Sequence, residues 1–272
     1  MKDAAQEAAL LVTGGTGFVG SHLVDSLARL HPNARFVFLA RDIERFEERL
    51  TAAEETYQLK SLNGLRYDVM EADIAAPGLG LSDAGRAKLE AEIDTVFHVA
   101  AQVNHLHSYD TLKCANVEST LELLQLSKPK RPKVINFVST LGAAVRRGID
   151  GRLNEDFPDG TPISSDMGYF QTKWASERLL SQFHLSGGKA NIFRLGRIVG
   201  SAETGRCLFQ DNQLFLLLRG VLMMGCAPDL DRVFNLTPAP VAGNIMALER
   251  FTHDGGLLLT CLTIRVTSRG VR

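Results

Sequence analysis

"LLVTGGTGFVGSHLVDSL", residues 10–27, decides the fold. An apolar run that reads as a strand leads into Gly14, Gly17 and Gly20, and an amphipathic helical stretch follows without a break. Gly14 permits the tight turn, Gly17 lets the backbone approach a pyrophosphate, and Gly20 lets the helix pack close to the sheet. The helix N-terminus offers free N–H groups and a positive dipole end to the phosphates, with Thr16 and Phe18 in the same loop. A glycine pattern alone is weak. Here it ends the first strand and opens a helix, the context that favours a dinucleotide loop over a purely structural turn.

Outward from this loop, short β-branched or apolar runs alternate with longer helical stretches, the pattern of βαβ units and a parallel sheet. Strands are expected at 9–14, 35–40, 65–70, 95–100, 133–139 and 190–195. Helices are expected at 17–30, 42–55, 83–91, 110–126 and 167–184. The expected class is α/β: a doubly wound parallel sheet of Rossmann type over residues 1–200, with residues 201–272 a small, partial lobe rather than an independent domain. Residues 205–252 read as two helices around the extended piece "RVFNLTP". "GGLLLTCLTIRVTSRGVR" reads as one more strand without clear domain closure, as in a chain cut short or lacking a C-terminal lobe. The apolar segment 213–225 is broken by Arg219 and Gly220 and is too short to span a bilayer. It is expected to pack as a core helix or to line an apolar pocket.

A net charge of -1 argues against a broad nucleic-acid footprint, which needs a basic stripe. No apolar stretch at the N-terminus is long enough for a secretory signal, and no membrane partner is expected. Cysteines at 114, 207, 226 and 261 lack metal-ligand or redox spacing, which fits reduced thiols in a cytoplasmic protein. His105 and His107 alternate as a strand-borne metal pair would, but no third ligand cluster lies near them in sequence, so no metal is expected. His98 reads as a satisfied interior histidine, Met223 and Met224 as core or as the lining of an apolar tunnel, and Trp174 as core or interface. "KPKRPK", 128–133, reads as a solvated basic loop, or as one that attracts an acidic carrier protein.

The second strand ends in "FLARD". An acidic residue there would accept from the ribose 2′-hydroxyl of NAD, whereas an arginine favours a 2′-phosphate. Arg41 takes that place, Arg49 lies two helical turns on, and Asp42 intervenes. The plainer reading of both arginines is solvated surface charge. The expected cofactor is NADPH. After the third strand, Asp73 and Ile74 are placed to hold the adenine, the plainer reading of Asp73 being an Asx turn.

Tyr169 and Lys173, in "GYFQTKW", are spaced i, i+4 and share one helix face. A phenol titrates near 10, and a neighbouring ammonium is expected to favour the phenolate. A hydroxyl from Thr140 or Ser139, at the carboxyl end of the fifth strand, is expected to point at the same carbonyl oxygen, since ligands of open α/β sheets bind at this edge.

In this order, "TGGTGFVG", "FVST" and "GYFQTKW" resemble the extended short-chain dehydrogenase/reductases. "DIAAPGLGLS", "VFHVAAQVNHLHSYDTLKCANVESTLELLQL" and "FRLGRIVGSAETG" narrow the resemblance to the thioester reductase branch. That branch holds the terminal reductase domains of nonribosomal peptide and polyketide synthases and of carboxylic acid reductases, with fatty acyl-CoA reductases as relatives. The resemblance runs from about residue 9 to about residue 250. It implies NADPH-dependent reduction of an acyl or peptidyl thioester, held on the phosphopantetheine of a carrier protein, to an aldehyde, with an alcohol after a second round.

By position it assigns Thr140, Tyr169 and Lys173 as catalytic, leaving Ser139 as a structural neighbour. Gly14, Thr16, Gly17, Phe18, Gly20, Arg41, Arg49, Asp73, Ile74 and Lys173 bind the cofactor, and Ala100 and Ala101 pass its nicotinamide side. Asn116 supports the sheet edge, residues 201–272 form part of the substrate lobe, and the linker at 146–167 lies across the substrate mouth. The chain departs from the pattern in "HVAA", where His-Asn-Gly-Ala is usual, and in Ala239, where an acidic residue is usual. Two alternatives share the loop. A nucleotide-sugar epimerase or dehydratase is disfavoured by the arginines, and a non-catalytic NADP sensor by retention of Thr140, Tyr169 and Lys173 together.

Overall fold

The computed structural model describes residues 8–127, 131–144, 163, 165–210, 212–227, 233–249, 258–262 and 264–267. The linker at 146–167 and the first half of the basic run 128–133 fall largely outside them.

Six strands form where the alternation puts them: β1 (Ala9–Thr13), β2 (Arg35–Ala40), β3 (Tyr67–Glu71), β4 (Thr95–His98), β5 (Val134–Thr140) and β6 (Lys189–Leu195). A seventh, β9 (Leu258–Leu262), pairs beside β6, and the order β3-β2-β1-β4-β5-β6-β9 is parallel throughout. The crossovers run through α1 (Phe18–Leu30), α2 (Ile43–Tyr57), α3 (Asp83–Glu92), the helical segment from α4 (Tyr109–Lys113) to α5 (Ser119–Leu126), and α6 (Gly168–Leu185). Their starts are chemically marked. The Asp42 carboxylate accepts from Arg45 N–H at α2, the Ser82 hydroxyl from Gly85 N–H at α3, and the Ser108 hydroxyl from Thr111 N–H at α4.

Strands covered by helices on both faces read as continuous apolar runs. All of β1 is buried, and β2 and β5 expose only their ends. One core, around Leu23, Leu27, Phe36 and Phe38, lies on one face; the other, around Leu89, Ile135, Leu180 and Ile192, lies on the opposite face. The helix expected over 110–126 is interrupted by one π turn, Cys114–Glu118, which carries Asn116.

Beyond residue 196 a second, three-stranded sheet forms from β7 (Arg197–Val199), β8 (Val233–Pro238) and β10 (Ile264–Thr267). The last stretch therefore holds two strands rather than the expected one: β9 completes the parallel sheet and β10 runs antiparallel to β8. The helix α8 (Ala239–Glu249) packs on α1, placing Ala242 and Met246 in the main core and Gly243 where a methyl would lie 2.6 Å from the His22 carbonyl oxygen.

The helix α7 (Gln213–Met224) overturns its expectation as a core helix: none of its residues is buried. Met223 is 77% and Met224 68% exposed, so neither is core. A helix apolar all round has no stripe to select a packing face, and its composition does not say what covers it. No helix among the described residues is long and apolar enough to cross a membrane.

Candidate active site

The strand order reverses between β1 and β4, and the crevice beyond their carboxyl ends is where this architecture binds ligands. Gly14 turns the chain there at φ +72, and a methyl on it would meet Ala100 N at 2.7 Å. A methyl on Gly20 would lie 2.0 Å from the Gly14 carbonyl oxygen. Helix α1 starts after Gly17 without a side-chain cap and without an acidic residue in its first turn. The N–H groups of Phe18, Val19 and Gly20 thus have no intrahelical acceptor. The Phe18 ring turns away onto His22 and Tyr57, at centroid distances of 5.0 and 5.1 Å, so only its backbone serves the loop. A close-packed glycine loop before an uncapped helix at the switch point fits a dinucleotide pyrophosphate.

His98 and Thr13 lock the two strand ends together. Ala100 N–H donates to Thr13 Oγ1 at 3.2 Å, and that hydroxyl meets His98 Nδ1 at 2.9 Å. Ser119 Oγ donates to Ala115 O at 2.6 Å and therefore accepts from His98 Nε2, 3.3 Å away. Every polar atom of the imidazole is used in its neutral form. Burial, aided by the Lys173 charge, pushes His98 down to about 3. It is the satisfied interior histidine expected.

On the side expected to meet the adenine, Ala40 pairs with Glu71, so the chain segments after β2 and β3 leave the sheet at the same level. Asp42 spends its Oδ1 on the α2 cap, while Arg41 and Arg49 are exposed. Arg45, passed over in the sequence, stands midway between them and is exposed too. Asp73 makes the Asx turn, Oδ1 accepting from Ala75 N–H at 3.0 Å, with half-buried Ile74 beside it.

Thr140, Tyr169 and Lys173 line one cleft of about 520 Å³ together with Ala101 and Leu214. Strand alternation sends the two neighbouring hydroxyls to different work. Thr140 Oγ1 accepts from Gly142 N–H at 3.3 Å at the cleft wall. Ser139 Oγ donates to Glu177 Oε1 at 2.6 Å in the interior. Asn116 clamps the turn after Ala101, accepting from Gln102 N–H at 2.7 Å and donating to Gln102 O at 3.1 Å and to Thr172 Oγ1 at 3.0 Å.

Burial outweighs the expected pull of the ammonium on the phenol. Lys173 Nζ donates to Val138 O at 2.7 Å and lies 4.4 Å from the Phe137 ring centre. Burial pushes Lys173 down to about 7, against the pull of Glu177, and pushes Tyr169 up to about 12. The spacing put both groups on one helix face, but desolvation sets their charge. His105 sits edge-on to Tyr169 at 5.7 Å, with burial and the Arg197 charge holding it below the usual histidine range. No group of three metal-ligating side chains occurs among the described residues.

Sequence reading also missed Glu177 and Arg194. Arg194 Nε donates to Glu177 Oε1 at 3.0 Å and Nη2 to Oε2 at 2.6 Å, and the two side chains are 2% and 0% exposed. The only available signal was the Lys173–Glu177 spacing, which on most helices marks a surface pair. Trp174 is half-buried, with the Arg178 guanidinium 5.8 Å from its ring centre.

The model of one protein family, described as "Male sterility protein", matches residues 12–246. The chain belongs to this family. Among similar proteins, one of the subunits of linear gramicidin synthase from Brevibacillus parabrevis is 32% identical over 93% of this chain and 5% of its own length. Isonitrile lipopeptide synthase of Streptomyces coeruleorubidus is 36% identical over 84% of this chain and 16% of its own. The chain thus spans a small fraction of these relatives. Among solved structures, the terminal R domain from the myxalamid PKS-NRPS biosynthetic pathway aligns with a TM-score of 0.88 at 31% identity, covering 98% of this chain and 69% of that one. The family and the reductase-domain relatives are those to which the motifs pointed.

Proposed function

We propose that this chain reduces an acyl or peptidyl thioester, presented on the phosphopantetheine arm of a carrier protein in the cytoplasm, to an aldehyde at the expense of NADPH. The observation that carries this reading is the convergence of Thr140, Tyr169 and Lys173 on one cleft at the carboxyl edge of the sheet. The relatives, named as synthases and an R domain, support the substrate class.

Gly14, Thr16, Gly17 and Gly20 would hold the pyrophosphate, with the backbone of Phe18, while Arg41 and Arg49 take the 2′-phosphate. Asp73 and Ile74 would meet the adenine, and Ala100 and Ala101 the nicotinamide side. When bound, NADPH supplies the hydride that reduces the thioester carbonyl carbon.

The chain's own part is electrostatic. Thr140 Oγ–H and Tyr169 O–H donate to the carbonyl oxygen as negative charge develops on it. A phenol pushed up to about 12 stays protonated across the neutral range and serves as such a donor. Lys173 would hold the ribose hydroxyls of the bound cofactor. Collapse of the tetrahedral adduct expels the pantetheine thiol and leaves the aldehyde. One hydride and one proton are consumed per thioester. Residues 201–272 contribute Gln213, Leu214 and Asn235 to the cleft wall and would shape the acyl site.

The test follows nicotinamide absorbance with NADPH and an acyl-pantetheine thioester. Tyr169→Phe is expected to lower kcat by roughly 10²–10³-fold, the usual cost of one oxyanion donor, with NADPH affinity unchanged. Near-normal turnover by that variant, or no NADPH consumption by the unaltered protein, would overturn the reading.

A further inference from the structure

Tyr169, Lys173 and Glu177 follow one another at i, i+4 and i+8 on α6, running from the cleft into the interior. Glu177 is wholly buried and touches no part of the cleft. The Arg194 guanidinium on β6 donates to both its oxygens, and the Ser139 hydroxyl on β5 donates to Oε1.

We propose that Glu177, pinned by Arg194 and Ser139, is a positioning residue for Lys173: a fixed negative charge one helical turn behind the ammonium that keeps it protonated inside the sheet. This rests on the reading of Lys173 as a residue of the site.

Among the described residues, the elements packed around Lys173 offer no other source for that charge. Behind it, β5 offers only the Val138 carbonyl oxygen and the Phe137 ring. Burial pushes His98 on β4 down to about 3 and Tyr169 on α6 up to about 12, so both are neutral in the neutral range. Arg194 on β6 is a cation, matched by Glu177. Burial drives Lys173 down to about 7, and Glu177 is the charge that opposes the fall. A lysine at that value sits at the edge of ionisation under neutral conditions, so a modest loss of support deprotonates it. Arg194 and Ser139 hold the carboxylate in place, because three donors point at it.

Lys173 can be titrated directly in the cofactor-free protein, by following lysine ¹³Cε resonances against pH and assigning Lys173 by its absence in Lys173→Met. Glu177→Gln is expected to lower the Lys173 midpoint by about one pH unit or more, with Glu177→Asp restoring most of it. Because Glu177→Gln takes the carboxylate away from Arg194, the variant Glu177→Gln/Arg194→Gln removes both charges and decides the matter if the single change does not fold. A midpoint unchanged in whichever of these folds would show that Glu177 only neutralises Arg194, and would end the proposal. The titration needs neither thioester nor NADPH, so failure of thioester reduction and failure of this inference are read separately.

Discussion

Arg194 is the largest fully buried side chain among the described residues, and it forms an ion pair with Glu177. Replacing Glu177 with Leu removes the carboxylate that Nε and Nη2 share. It also removes the acceptor of Ser139. Removing one partner of such a pair costs about 3–5 kcal/mol, and an orphaned hydroxyl adds roughly 1 kcal/mol. Arg194→Met alone leaves a buried carboxylate and falls in the same range. The double variant Glu177→Leu/Arg194→Met removes both charges and is expected to cost less than either single change, since well-packed apolar replacements of buried pairs are about neutral. The cycle therefore predicts a coupling of several kcal/mol. Equilibrium unfolding in urea measures it, followed by circular dichroism and by fluorescence of Trp174, the one tryptophan in the sequence. The two probes must coincide for the free energies to be comparable. Single variants costing under about 1 kcal/mol, or a double variant costing the sum of the singles, would refute the reasoning.

Lys173 gives a pH-dependent companion. Its folded value of about 7 lies below the ordinary 10.5, so between these values the unfolded chain holds a proton that the folded chain releases. Wild-type stability is therefore expected to rise from pH 7 towards 10.5, with the burial penalty in full force below 7. Lys173→Met should be the more stable protein at pH 6 and lose that advantage as pH rises; urea midpoints across this range test it, and a pH-independent difference would contradict it. For the cofactor, Arg41→Ala is expected to weaken NADPH about tenfold or more, through loss of a charge-assisted bond, and to leave NADH nearly unchanged. Titration of both nucleotides checks this, and equal weakening would remove Arg41 from the 2′-phosphate site.

The sheet was legible because its signals are local. Apolar runs bounded by helices fix strands β1 to β6 within a residue or two at most ends, and the glycine loop marks the switch point before any tertiary contact is known. The core reading of α7 failed because hydrophobicity reports a need for cover and not a partner, while the alternative, that the segment lines a pocket, holds at Leu214. The adenine-side aspartate was ambiguous because an Asx turn and a ligand need the same side chain. The choice between Ser139 and Thr140 was open on residues alone. Both residues line the cleft, and only the structure shows the Ser139 hydroxyl spent on Glu177.

The deeper failure lies in α6. Its buried face carries Thr172, Lys173, Ser176 and Glu177, which a binary pattern assigns to solvent. Each is held by a partner that sequence does not bring near. Thr172 meets Asn116, Lys173 meets Val138 O, Ser176 meets Asn116 O, and Glu177 meets Arg194 and Ser139. A helix with a polar buried face is a poor solution for stability, because each group must be desolvated and then repaired. It becomes a good one where a phenol and an ammonium must be presented to a cleft with their charge set from behind. Local rules fail where function overrides them. On α6 the breach of patterning therefore points to the proposed site more sharply than the Tyr-x-x-x-Lys spacing does, since that spacing recurs by chance and a partnered polar face packed against a sheet is the costlier arrangement.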